Sequence, residues 1–196
     1  MEYEIYVSGI GGQGVQLVAK VLALAAIKED LHAMLSGFYG SEMRGGVSLS
    51  TVVIGDGMLR SLPVAAQVSA ALVLHHHYWE QPRARLRDGA LVVVDKAVAG
   101  QLEPMPTQRV VAVPATEIAI GIGNPMVAGL ALLAAFGSLT GLVKTENLIE
   151  AMKESVPPHR RQHLEYNEKA IVAGTGAVTA LSQSMRLVAR ERKSAA

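Results

Sequence analysis

Ile5-Tyr6-Val7-Ser8-Gly9-Ile10-Gly11-Gly12-Gln13-Gly14-Val15 decides how the rest of the chain is read. The apolar run Ile5-Tyr6-Val7 predicts a strand, and residues 15 to 27 have the pattern of a helix, so the glycines form the turn of a strand–turn–helix unit. Glycine accepts positive φ and puts no Cβ between backbone and ligand, while the first N–H groups of a helix lack intrahelical partners and face any anion placed there. The spacing Gly9, Gly11, Gly14 fits the G-x-G-x-x-G dinucleotide fingerprint. Two readings stay open: a phosphate contact, or glycines that only let helix and strand pack closely.

A dinucleotide site also requires an acid roughly 20 residues further on, at the end of the second strand, to hold the ribose hydroxyls. The second strand is expected at Leu31 to Leu35 and ends in Ser36-Gly37; Glu29 and Asp30 precede it, at the wrong end. NAD is disfavoured on that ground.

Working outward, strand-like runs alternate with helical ones. Strands are expected at Glu4 to Ser8, Leu31 to Leu35, Gly46 to Ile54 (exposed in character), Ala70 to His75, Leu91 to Asp95 (buried on both faces) and Arg109 to Val113. Helices are expected at 14 to 28, 79 to 87, Met126 to Gly137 opened by Asn124-Pro125, 145 to 155, and 162 to 190, the last thinned at Gly174-Thr175-Gly176. This alternation predicts an α/β fold, a single doubly wound, mostly parallel, Rossmann-like sheet with helices on both faces. With no linker and no internal repeat, residues 1 to 196 read as one domain.

The 196 residues are 50% hydrophobic and 18% charged, a composition rich enough in apolar residues to expect partners. A net charge of +1 offers no electrostatic case for nucleic acid. The absence of cysteine excludes this chain as holder of an iron–sulfur cluster or a cysteine-based zinc site. No apolar run reaches membrane-span length, so no membrane is expected and the location reads as cytoplasmic.

A second dense patch, Phe38-Tyr39-Gly40-Ser41-Glu42-Met43-Arg44-Gly45-Gly46, lies beyond the expected second strand and therefore near the glycine turn. Arg44 is a planar cation suited to phosphate or carboxylate, and Gly45-Gly46 let the loop approach a ligand or a neighbour; an internal Glu42–Arg44 ion pair is the plainer reading. His75-His76-His77 invites a metal, but on a strand successive side chains point to opposite faces, leaving only His75 and His77 on one side; no metal site is expected there. A polar strand end facing the site or a partner fits better, with Trp79 as an interface anchor. Asp95 is read either as a helix cap or as a proton-transferring group, the cap being favoured.

In order and spacing, Gly9 to Gly14 and Tyr39 to Gly46 resemble motifs of the gamma subunit of 2-oxoacid:acceptor oxidoreductases. Leu91 to Asp95, Val113 to Ala119, Gly123-Asn124-Pro125-Met126-Val127-Ala128 and Asn167-Glu168-Lys169-Ala170 resemble the family's later blocks, so the resemblance spans nearly the whole chain. It implies a non-catalytic subunit of a larger enzyme that oxidatively decarboxylates a 2-oxoacid, of the pyruvate, 2-oxoglutarate, indolepyruvate or phenylglyoxylate kind, to an acyl-CoA. It further implies thiamine diphosphate and iron–sulfur clusters in alpha, beta and ferredoxin-like partner subunits, ferredoxin or NAD as acceptor, and coenzyme A at or near this chain.

On this reading Gly9, Gly11, Gly12, Gln13 and Gly14, with Arg44, Gly45 and Asn124, form a coenzyme-facing rim, and no residue is assigned a catalytic role. The alternatives are a stand-alone nucleotide- or flavin-binding oxidoreductase and a pure scaffold subunit.

Overall fold

The computed structural model describes residues 1–40, 45–60, 67–103 and 106–179. One six-stranded sheet organises them, in the order β2-β3-β1-β4-β5-β6. Its strands are β1 (Glu2–Ile10), β2 (His32–Tyr39), β3 (Val47–Gly55), β4 (Val68–Val73), β5 (Leu86–Asp95) and β6 (Arg109–Val113). The helices are α1 (Val15–Lys28), α2 (Glu80–Arg83), α3 (Lys96–Ala99), α4 (Ala115–Ile122), α5 (Ala128–Thr140), α6 (Thr145–Ser155) and α7 (Leu164–Gly176).

The period-two alternation of each strand divides the apolar residues between two cores. Ile5 and Val7 of β1, Val52 and Ile54 of β3, Ala70 and Leu72 of β4, and Leu91 and Val93 of β5 face a layer built from α1, α4, α5, α6 and α7. Tyr6, Ala71, Val73, Val92 and Val94 face the other way, under Trp79, Leu86 and Leu102 and the edge of the single-turn helix α3. All six residues of β4 are buried because both faces are covered. α5 sits deepest, with Leu132, Leu133 and Phe136 fully buried; each such side chain contributes about 1.5–3 kcal/mol of hydrophobic stabilisation.

The sheet is mostly parallel, as expected, with helices on both faces, although the long helices lie on one of them. β3 is the exception in direction. It runs antiparallel to both β1 and β2, with Ser8 opposite Leu49 and Phe38 opposite Leu49 on the other side. The expectation of an exposed strand at 46 to 54 fails here. The Ser48-Leu49-Ser50 alternation mimics a half-solvated edge, yet β3 lies between two strands and beneath α1, and Val52, Val53 and Ile54 are fully buried.

Several boundaries also move. β2 continues through Ser36-Gly37 to Tyr39, its backbone paired to β3 throughout, and the Gln16 side chain of α1 lies over Gly37. The helix expected at 79 to 87 is reduced to α2, because β5 begins at Leu86. α4 was not anticipated from the sequence. α7 ends at Gly176 instead of running to 190; residues 177 to 179 are not helical, and 180 to 190 lie outside the described residues. No helix among the described residues is long and apolar enough to cross a membrane.

Candidate functional site

β1 and β4 are neighbours, but from β1 the chain crosses through α1 towards β2 and β3 while from β4 it proceeds to β5 and β6 on the other side. The crevice beyond the C-terminal ends of β1 and β4 is therefore the sheet's topological switch point, the place where open α/β sheets bind ligands. The glycine turn occupies one wall of it.

Within that turn the glycines serve different physical ends. Gly12 and Gly14 have φ of 102° and 75°, the left-handed region, and a Cβ at either would meet nothing within 4 Å. They give the turn its path and leave its outer side open. Gly9 instead holds a close approach: a Cβ there would stand 2.7 Å from Gln13 Oε1 and 3.2 Å from Leu74 Cβ. Close packing of helix and strand thus accounts for Gly9, and the backbone path of an open turn for Gly12 and Gly14. α1 starts from Gly14 with no side-chain cap and no acidic residue in its first turn, so its N–H groups and positive dipole end are left for an anion.

Gln13 braces the turn. Its Oε1 accepts from the Ile10 N–H at 3.0 Å and its Nε2 donates to the Leu74 carbonyl at 3.2 Å, tying the ends of β1 and β4 together. On the other side the Gly11 N–H donates to Gly46 O at 2.8 Å. The segment Gly45-Gly46, with Gly45 at φ 72°, thus lies against the turn as its position after the second strand suggested. Arg44 lies outside the described residues. Asn124 caps the 3-10 turn Pro125–Val127 that leads into α5, its Oδ1 accepting from the Met126 N–H at 3.2 Å. Five residues later α5 reaches the turn itself: a Cβ at Gly129 would stand 3.3 Å from Gln13 O and 3.4 Å from Leu74 Cδ1.

Leu74 and Gly129 thus join the site as braces that sequence reasoning did not single out. The only sequence signal for Gly129 is a glycine inside an otherwise apolar helical run, which marks a close approach without saying to what.

The second strand's missing ribose acid has a structural counterpart. Because β3 is inserted between β1 and β2, the end of β2 is two strands from the glycine turn, so the neighbour that carries a dinucleotide's ribose ligand is displaced. Asp95, 3% exposed, accepts from the Ala97 and Thr116 N–H groups and from the Thr116 hydroxyl. It caps α3 and anchors the start of α4, as the favoured reading of it expected.

His75, His76 and His77 follow Leu74 directly. β4 ends at Val73, so they lie in a turn and not on a strand, and the alternation argument against them does not apply. Their donor atoms lie within 4.8 Å of one another. The His75 and His76 rings stack with centroids 4.5 Å apart, and His77 meets both edge-on. Burial, then the neighbouring His76 and His77 rings, hold His75 below the ordinary imidazole value. Trp79, expected as an interface anchor, is 4% exposed and belongs to the second core. On that same face Tyr6, Leu49, Gln81, Ala84 and Arg85 line a cavity of about 270 Å³, with Arg85 Nη1 donating to the Tyr6 hydroxyl at 2.7 Å.

Residues 4–177 match the family described as pyruvate ferredoxin/flavodoxin oxidoreductase. The chain is 33% identical over 161 residues to the 2-oxoglutarate synthase subunit KorC of Methanocaldococcus jannaschii, an alignment covering 80% of this chain and 85% of that one. Its structure is similar to that of the gamma subunit of a keto/oxoacid ferredoxin oxidoreductase from Geobacter sulfurreducens PCA, at 33% identity and a TM-score of 0.75, over 89% of this chain and 97% of the other. A 2-oxoglutarate:ferredoxin oxidoreductase from Magnetococcus marinus, with 2-oxoglutarate, coenzyme A and succinyl-CoA bound, superposes on 96% of this chain with 34% of its own and a TM-score of 0.78. At 16% identity that likeness is one of fold.

Proposed function

The chain belongs to the pyruvate ferredoxin/flavodoxin oxidoreductase family as a gamma-type subunit of the multi-subunit 2-oxoacid:ferredoxin oxidoreductases, and we propose that its own contribution is to hold the phosphate end of coenzyme A at the switch-point crevice while docking onto the catalytic chains. The observation that carries this reading is the open, left-handed turn at Gly12 and Gly14, placed by Gln13 at the start of an uncapped helix.

Coenzyme A suits such a site. Its phosphates match backbone N–H donors and a guanidinium at Arg44, and its pantetheine arm is long enough to carry the thiol to a neighbouring chain. A dinucleotide suits it less, since the strand that supplies the ribose acid is displaced by β3. With no cysteine in the sequence, this chain has no ligands for an iron–sulfur cluster; in this reading, which follows the family resemblance, the clusters sit in ferredoxin-like partners and thiamine diphosphate in alpha and beta partners of a cytoplasmic complex that converts a 2-oxoacid to an acyl-CoA. In this division of labour the gamma chain supplies binding and orientation and no proton-transferring group.

The test is kinetic, in the assembled complex. A Cβ at Gly12 would meet no neighbouring atom, so the strain that Gly12→Val puts on its left-handed backbone falls on the turn itself; combined with Arg44→Ala, it is expected to raise the KM for coenzyme A about 10- to 100-fold, the equivalent of one lost charge-assisted hydrogen bond. The subunit ratio stays unchanged. An unaltered KM places coenzyme A elsewhere in the complex.

A further inference from the structure

We propose that His75, His76 and His77 form a binding site for one divalent transition-metal ion of zinc-like preference, at the β4 wall of the switch-point crevice. On an extended strand three consecutive histidines cannot share a ligand, because their side chains alternate between faces. Here the strand has ended, and two hydrogen bonds fold the segment back on itself: the His77 N–H donates to His75 Nδ1 at 3.1 Å and the Trp79 N–H donates to His76 O at 3.0 Å. The rings are thereby gathered on one side, with centroid separations of 4.5, 5.8 and 5.7 Å.

Around a tetrahedral ion with metal–nitrogen bonds of about 2.0–2.1 Å, neighbouring nitrogens stand about 3.4 Å apart. The donor atoms of the turn lie within 4.8 Å of one another, so closure needs little more than an ångström at the widest pair. Side-chain rotation supplies this, because His77 is exposed and the other two are half-buried.

The donor set selects the ion. Three imidazoles without a carboxylate in the group suit zinc, nickel, cobalt or copper and disfavour magnesium and calcium, which require oxygen. Nδ1 of His76 is a buried polar atom with no hydrogen-bond partner, a lone pair or proton that the fold itself leaves unanswered. The base of the turn is rigid where it must be: Leu74 donates to Ser8 O at 2.9 Å and accepts from Gln13 Nε2. Three protein ligands leave a fourth position for water or for a second molecule in the crevice.

Zinc ion, added to the chelator-treated full chain and followed by titration calorimetry, is the probe. The expected result is one ion per chain, with His76→Asn weakening binding by at least the roughly 10- to 100-fold that disturbing a ligand's supporting shell costs. The double variant His159→Asn, His163→Asn retains wild-type affinity. Imidazole 15N shifts of the wild-type chain, measured with and without zinc, provide the readout that needs no variant to fold; the resonances of His75, His76 and His77 move and those of His32, His159 and His163 do not. Binding that is unchanged in His76→Asn, that is lost in the His159 and His163 double variant, or that leaves the three resonances in place overturns the proposal.

Discussion

Two glycines with the same letter in the sequence carry opposite lessons. Gly12 has open space where a Cβ would stand and is needed for its φ of 102°, whereas Gly174 has an ordinary helical backbone and is needed for its missing side chain. A Cβ at Gly174 would lie 2.2 Å from the Ala131 carbonyl oxygen, because α7 crosses α5 backbone to backbone at that point. Gly174→Ala must push the helices apart, and in a close-packed interior such overpacking costs about 1–3 kcal/mol and sometimes more. Urea denaturation of the purified chain is expected to show that loss, although alanine is the better helix former by about 1 kcal/mol. A variant as stable as the parent would mean that the α5–α7 crossing is looser than the structure places it.

At the scale of elements, α6 is fixed at its start by a residue from the end of another helix. Glu29, just past α1, accepts from the Lys144 N–H at 2.8 Å and from Asn147 Nδ2 at 2.9 Å, with the Lys144 ammonium 3.5 Å from its other oxygen. It ties the start of α6, whose own N-cap residue, Lys144, has no capping side chain, to the end of α1. Partial burial opposes ionisation of Glu29, but these hydrogen bonds and the lysine charge outweigh it and hold the carboxyl below the ordinary value. A group whose folded pKa is lowered stabilises fully above its unfolded pKa and ceases to do so as the pH falls through the folded one. Glu29→Gln is therefore expected to cost about 1 kcal/mol at neutral pH and less under acid conditions. Its thermal melting curves should converge on those of the parent as the pH falls; a gap that persisted at low pH would assign the stabilisation to contacts that the protonated carboxyl keeps and glutamine loses.

For the whole molecule, the decisive expectation concerns company. A gamma-type chain isolated anaerobically from its host through a mild tag should bring larger chains with it, identifiable by mass spectrometry and carrying thiamine diphosphate and iron–sulfur clusters; isolation of the chain alone would leave the fold but remove the assembly role. Exposed apolar side chains at Phe38 on the edge strand and at Ile120 and Met126 near the entry to α5 are consistent with such docking.

The sequence alone determined the strand–turn–helix unit at Gly9 to Gly14, the alternation that yields a layered α/β fold, the absence of any cysteine ligand, and the helix-cap signals at Asp95 and Asn124. Each of these rests on local chemistry: backbone conformation, periodicity of two or 3.6, and side chains that bond within a few residues of themselves. The tertiary structure decided what depends on neighbours far along the chain. It placed β3 between β1 and β2, so that serines resembling a solvated edge became interior and the ribose position was displaced. It also brought Leu74 against Gln13 and Gly129 against both, and it ended β4 two residues before His75, turning three side chains that alternation would separate into one cluster. Strand order and strand ends are settled by which partner satisfies each backbone N–H and C=O, and the partners of β1 are 37 to 65 residues away in sequence, beyond the reach of any local pattern.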